Sequence, residues 1–235
     1  VTLFNAMAGY DEEDTAMPLI SDDFSLIYRE VSLDGKRLGM LDSFEDDPLY
    51  QQAIRLLTNN GADAVSVSLN ASRNPRFSEL LGGEMVRDLA TYLDSHASSN
   101  VSVSSIVDLQ VFNVEDPDLR APYGQGLIEM MAELELGTEE LEMLRAELQM
   151  TAEKQLQRIF VDGELDVLLS INNRNAGLAA LANYPALTIP MGYQEEGRPI
   201  GLTLIAPSFQ EQELVDVGAV FERESKARVL PEGFR

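Results

Sequence analysis

Arg37-Leu38-Gly39-Met40-Leu41, then Asp46-Asp47-Pro48, then Ala64-Val65-Ser66-Val67-Ser68-Leu69 follow one another in a single short reach of chain. The first and last stretches read as strands, the last with period-two alternation. Between them, Asp46-Asp47-Pro48 reads as a helix start. Carboxylates sit at the positive end of the helix dipole, and proline falls in the first turn, where its missing N–H costs nothing. Apolar Ile54, Leu56 and Leu57 continue that helix to a stop near Asn60-Gly61. A strand–helix–strand unit of this kind predicts an α/β fold.

The same alternation extends outward. Val1 to Ala8 reads as the end of a helix closed by a left-handed Gly9, and Asp11 to Asp23 as an acidic loop. Helices are predicted over Phe77 to Leu93, Ser104 to Phe112 (capped by Ser104 or Ser105), Gln125 to Leu134, Thr138 to Val161 and Phe209 to Glu224. Strands are predicted over Leu165 to Ser170, Leu187 to Ile189 and Ile200 to Ile205, with Pro185 and Pro190 bracketing the middle one. No repeat or linker interrupts the chain, so residues 1–235 are expected to form a single α/β domain.

Composition excludes whole classes of function. Lys+Arg is 17 and Asp+Glu is 40, so the formal charge is 17 − 40 = −23. Nucleic acid and anionic membrane surfaces require clustered basic residues, so neither is an expected partner. The absence of cysteine removes disulfides, thiolate nucleophiles and Cys-ligated metals, and the single histidine, His96, cannot build a His-paired metal site. His96 lies in a polar stretch and reads as exposed. The chain begins at Val1 rather than at methionine and shows no basic leader, so a processed chain or a fragment is expected, in the cytoplasm.

Catalytic patterns are missing as well. There is no G-x-S-x-G elbow, P-loop or G-x-G-x-x-G, and the lysines Lys36, Lys154 and Lys226 all sit in polar surroundings. Acidic groups such as Asp11-Glu12-Glu13-Asp14 and Glu139-Glu140 read as solvated loops and helix starts. The loop Ile171-Asn172-Asn173-Arg174-Asn175-Ala176-Gly177 is the candidate site. It follows a strand, and ligands of α/β sheets gather beyond strand carboxyl ends. Asn172, Asn173 and Asn175 each offer both a donor and an acceptor to a polar substrate; the competing reading is a surface turn rich in asparagine.

Ala182-Asn183-Tyr184-Pro185-Ala186-Leu187-Thr188-Ile189-Pro190-Met191-Gly192-Tyr193, followed by Glu196-Gly197-Arg198-Pro199-Ile200-Gly201-Leu202-Thr203-Leu204-Ile205-Ala206, resembles the C-terminal hallmark of the amidase signature family. Asn183 stands where that family usually has glycine, and asparagine tolerates the left-handed backbone such a turn requires. Asp34 to Leu41, Asn60 to Val65, Val103 to Leu109 and Tyr123-Gly124-Gln125 are similar to the family's preceding segments.

The resemblance implies a mixed sheet flanked by helices, the C-terminal part of the amidase-signature fold. It implies an amidase acting on a small-molecule amide through a serine acyl-enzyme, with no metal or organic cofactor. The family's lysine and two serines lie in and before a Gly/Ser-rich segment that has no counterpart here, so no catalytic residue is carried over. The N-terminal half of the same protein is then the expected partner, with self-association into a homo-oligomer as the other way to cover an apolar face expected at Val1 to Ala8 and around Leu187 to Ile189. Two alternatives stand beside this reading. One is a non-catalytic binding or assembly module on the same scaffold. The other is the amidase subunit of a tRNA-dependent amidotransferase, whose long loop before the Pro-Ala run would be shortened here to Ile171 to Ala180.

Overall fold

In a computed structural model of the chain, residues 1–12, 24–69, 76–230 and Gly233 are described. The predicted loop Asp11 to Asp23 lies almost wholly outside them. In chain order the elements are α1 (Thr2–Met7), β1 (Arg37–Leu41), a 3-10 turn (Asp42–Phe44), α2 (Pro48–Asn59), β2 (Asp63–Val67), α3 (Arg76–His96), α4 (Ile106–Val114), α5 (Pro117–Arg120), α6 (Gly126–Ala132), α7 (Thr138–Gly163), β3 (Val167–Ile171), α8 (Ala176–Leu181), β4 (Ala186–Tyr193), β5 (Pro199–Ile205) and α9 (Glu211–Ser225). They form two compact units, Val1–Ala71 with Thr151–Arg235, and Ser72–Met150. Helix α7 begins in the second unit and ends in the first.

The first unit is built on one mixed sheet in the order β2-β1-β3-β5-β4. Strands β2, β1 and β3 run parallel, and β5 and β4 antiparallel to their neighbours. All five residues of β3 are buried. Their alternation splits the core in two. Val167, Leu169 and Ile171 join Tyr50, Ile54 and Leu57 of α2 and Val217, Val220 and Phe221 of α9. Leu168 joins Ala152, Leu156 and Phe160 of α7 and Ala179 of α8. Helices therefore cover both faces of the central strands, the arrangement a strand buried on both sides demands.

Local sequence explains the edges of these elements. Asp47 caps α2: its Oδ1 accepts from the N–H of Leu49 and of Tyr50 at 3.0 Å each, with Pro48 as the first helical residue. Gly61 (φ +103°) closes the turn into β2, where a Cβ would sit 2.9 Å from the Asp34 backbone nitrogen. Ser105, not Ser104, caps α4, accepting from the Asp108 N–H at 3.1 Å.

Three expectations are corrected. Gly9 does not close α1 in a left-handed conformation; the helix ends at Ala8, which is extended (φ −70°, ψ 129°). Pro190 lies within β4 rather than bounding it. Strand β4 is an edge, and its register shifts between Pro190 and Gly192, so no ladder N–H is missed. The uncovered apolar face is also smaller than expected. Leu3 and Met7 of α1 are exposed, but Leu187 and Ile189 pack against the core beside α9.

In the second unit α6 packs on α3 and α4, and α4 on α5. Gly82 of α3 gives the Leu134 side chain room to approach, since a Cβ there would lie 2.6 Å from it. His96 is the last residue of α3, exposed and stacked on Tyr92 with ring centroids 5.0 Å apart. No helix among the described residues is long and apolar enough to cross a membrane.

Candidate functional site

Strands β1 and β3 are parallel neighbours, but the chain leaves them in opposite directions. Through α2, β1 leads to β2 on one side, while β3 leads to β4 and β5 on the other. Such a reversal opens a crevice beyond the carboxyl ends of the two strands. The ladder between them runs from Leu38↔Val167 to Met40↔Leu169 and stops there. Beyond it the Tyr50 hydroxyl accepts from the Leu41 N–H (3.0 Å) and donates to the Leu169 carbonyl (2.9 Å). Burial pushes the Tyr50 phenol well above its ordinary pKa, so it keeps the proton it donates.

Asn172-Asn173-Arg174-Asn175 leaves β3 at this crevice. Asn172 takes a left-handed φ of +52°. Its N–H donates to the Gly201 carbonyl at 2.9 Å, and its Oδ1 accepts from the Gly201 N–H at 2.7 Å. The missing Cβ of Gly201 makes room for Thr188 on the neighbouring strand, since a Cβ there would meet the Thr188 methyl at 2.6 Å but lie 3.7 Å from Asn172 Oδ1. Asn175 is half-buried, and its Oδ1 accepts from the Ser170 hydroxyl at 2.5 Å. The Asn173 side chain is exposed and makes no hydrogen bond to a described residue.

The three asparagines predicted from sequence are thus together, but two of them use their amide oxygens to hold the loop. What they can still offer a ligand is the amide NH₂ of Asn172 and Asn175 and the whole amide of Asn173.

Beneath the loop runs a row of hydroxyls that the sequence reading missed. Ser170 of β3 faces Thr203 of β5, which faces Thr188 of β4. Thr203 donates to the Asn172 carbonyl, so its contact with Thr188 (2.8 Å) is one in which Thr188 donates. Ser170 and Thr203 are buried, and both are satisfied. The available signal was a polar residue inside each of two otherwise apolar strands. Arg174 was missed too. Its guanidinium lies 5.6 Å from the centroid of the Phe44 ring, which joins the loop after β3 to the turn after β1.

The loop presents amide donors and acceptors, with no activating base among the described residues beside its buried hydroxyls. No lysine or histidine is hydrogen-bonded to the Ser170 hydroxyl, and Lys36 is ion-paired to Glu213 (2.5 Å). Among the described residues no group of three or more His, Asp or Glu side chains is set to hold a metal ion.

Comparison with known proteins bears on what the crevice serves. No family model matches the chain. A protein of Arabidopsis thaliana described as "Probable amidase" is 24% identical over 250 residues, covering 98% of this chain and 47% of its own length. A glutamyl-tRNA(Gln) amidotransferase subunit from Maricaulis maris is 25% identical over 274 residues, covering 99% of this chain and 53% of its own. The crystal structure of an amidase family protein from Bacillus anthracis superposes with a TM-score of 0.83 at 31% identity, over 98% of this chain and 47% of that one. The chain spans about half the length of the relatives it matches.

Proposed function

We propose that this chain, a member of the amidase-signature family, is the C-terminal part of an amidase that hydrolyses a carboxamide C–N bond. In this reading a serine N-terminal to the chain attacks the carboxamide carbonyl. The C–N bond breaks, ammonia or an amine leaves with a proton, and water releases the acid from the acyl-enzyme. The 235 residues supply one wall of the site: the crevice beyond β1 and β3, with Asn172, Asn173 and Asn175 facing the substrate. The two compact units are read as parts of one domain because α7 runs unbroken from one into the other. The protein is placed in the cytoplasm, its N-terminal half is the partner of this chain, and self-association is the alternative cover for α1.

The observation that carries this reading is the 31% identity to an amidase family protein across 98% of the chain. The amidase is preferred to the amidotransferase subunit because a similar share of the chain aligns over 250 residues with the former and 274 with the latter, so fewer insertions separate the two. The test is release of ammonia or amine from a panel of linear carboxamides. The full-length protein is expected to turn over at least one, and residues 1–235 alone none. Turnover by 1–235 alone, or none by the full-length protein, would overturn the proposal.

A further inference from the structure

We propose that Arg174 is a specificity residue that reads a carboxylate on the substrate, so that the preferred substrates are anionic carboxamides. This rests on the amidase reading above. The segments directly following β1 and β3 are Asp42-Ser43-Phe44-Glu45-Asp46-Asp47 and Asn172-Asn173-Arg174-Asn175, and Arg174 is their only cation. Four carboxylates stand on the first segment, yet Arg174 pairs with none of them. Asp42 accepts from Ser68, and Asp47 is spent capping α2. Elsewhere Arg29, Arg76, Arg87, Arg120, Arg145, Arg158 and Arg223 hold acidic partners, whereas Arg55, Arg198 and Arg228 form no ion pair with a described residue, so it is the place of Arg174 over Phe44, and not its lack of a partner alone, that sets it apart. Arg37 is turned instead onto the carbonyls of Gly163 and Glu164. In a chain of formal charge −23, an arginine left without an acidic partner at the crevice marks a position where the anion is to come from outside.

The side chain is also placed for this. Phe44 is a fixed platform, packed against both core clusters and edge-on to Tyr50 with centroids 5.6 Å apart. A guanidinium held over an aromatic ring keeps its planar fork of donors for a ligand, and that fork matches a carboxylate two bonds at a time. The exposed Asn173 amide and the Asn175 NH₂ flank it. A neutral amide gains nothing from this cation. An anionic one is repelled by the net negative charge of the chain and held here.

The experiment compares succinamate with its neutral counterpart butyramide on the full-length protein, wild type and Arg174→Gln, and measures succinate binding by calorimetry on both. The wild type is expected to favour succinamate, and the ratio of kcat/KM values for the two amides to fall at least tenfold in Arg174→Gln, with Arg174→Lys recovering part of it. Succinate affinity should fall at least tenfold in parallel. An unchanged ratio, or succinate binding that is absent or indifferent to the substitution, overturns the proposal. If neither amide is hydrolysed but succinate binding still depends on Arg174, the amidase reading fails and the anion site stands.

Discussion

The sheet-based unit and the helical unit solve the same burial problem to different degrees. In the first, β3 is buried along its whole length, and Leu169, Leu202, Leu204 and Phe221 are all at or below 1% exposed. In the second, α4 carries valines on its solvent side as well, and Val107, Val111 and Val114 are exposed, as are Leu119, Tyr123 and Leu127. A buried sheet cross-links residues distant in sequence, whereas short helices with apolar outer faces contribute little cooperative burial of their own. Local opening free energies follow such contacts. Amides of β3 and β5 should therefore exchange far more slowly than those of α4 and α6.

Substitutions sharpen the contrast. Leu169→Ala removes a side chain from the centre of the larger cluster and is expected to cost about 2–5 kcal/mol in denaturant unfolding. A cost below about 1 kcal/mol would mean the sheet core is not what holds this unit.

Tyr50→Phe comes next. It strands the Leu41 N–H and the Leu169 carbonyl where the ladder ends, for an expected loss of about 1–3 kcal/mol. The native phenol is raised, so its contribution is complete below the ordinary phenolic pKa of about 10 and is lost as pH climbs beyond it. Tyr50 phenolate absorbance should appear only together with loss of the sheet's circular dichroism, and this step should vanish in Tyr50→Phe. Titration of all tyrosines before unfolding would contradict the buried bridge.

In the helical unit the effects are smaller. Ser105→Ala removes the α4 cap and should cost about 1 kcal/mol. The Asp108 carboxyl is held below its usual pKa, first by the Ser104 hydroxyl and then by further hydrogen bonds from Ser104 and Ser105. Its contribution is therefore present above about pH 4 and fades as pH falls through the depressed native value. The first turn of α4 should exchange faster at about pH 3 than at about pH 6 after correction for intrinsic rates, and equal protection would refute the assignment. Smallest of all, Leu127→Ser on the exposed side of α6 should shift stability by no more than about 0.5 kcal/mol; a larger loss would reveal burial that the described residues do not show.

The sequence was most legible where one residue type has one local job. Asp47-Pro48 specifies a helix start, Asn60-Gly61 a stop, and the largely apolar run Leu165 to Ser170 a central strand, and all three are found. It was least legible where tertiary context decides. Pro190 is acceptable inside β4 because β4 is an edge with a register shift, which no local pattern reveals. Helix α8 is six residues long, too short to display a period, and was read as part of a loop. The candidate asparagines were chosen for their place after a strand. Their division of labour was not, because Asn172 is set by Gly201, 29 residues away, and Asn175 by Ser170. Nor could spacing show that Arg174 meets Phe44, since that contact exists only once β1 and β3 lie side by side.

The central claim is that these residues bind the substrate while the nucleophile lies elsewhere in the protein. It is tested most directly by labelling the full-length protein with a serine-directed fluorophosphonate and mapping the modified peptide by mass spectrometry. The label is predicted on a serine N-terminal to Val1, with Ser170 and every other serine of this chain unmodified. Stoichiometric label on any serine between Val1 and Arg235 would contradict the account.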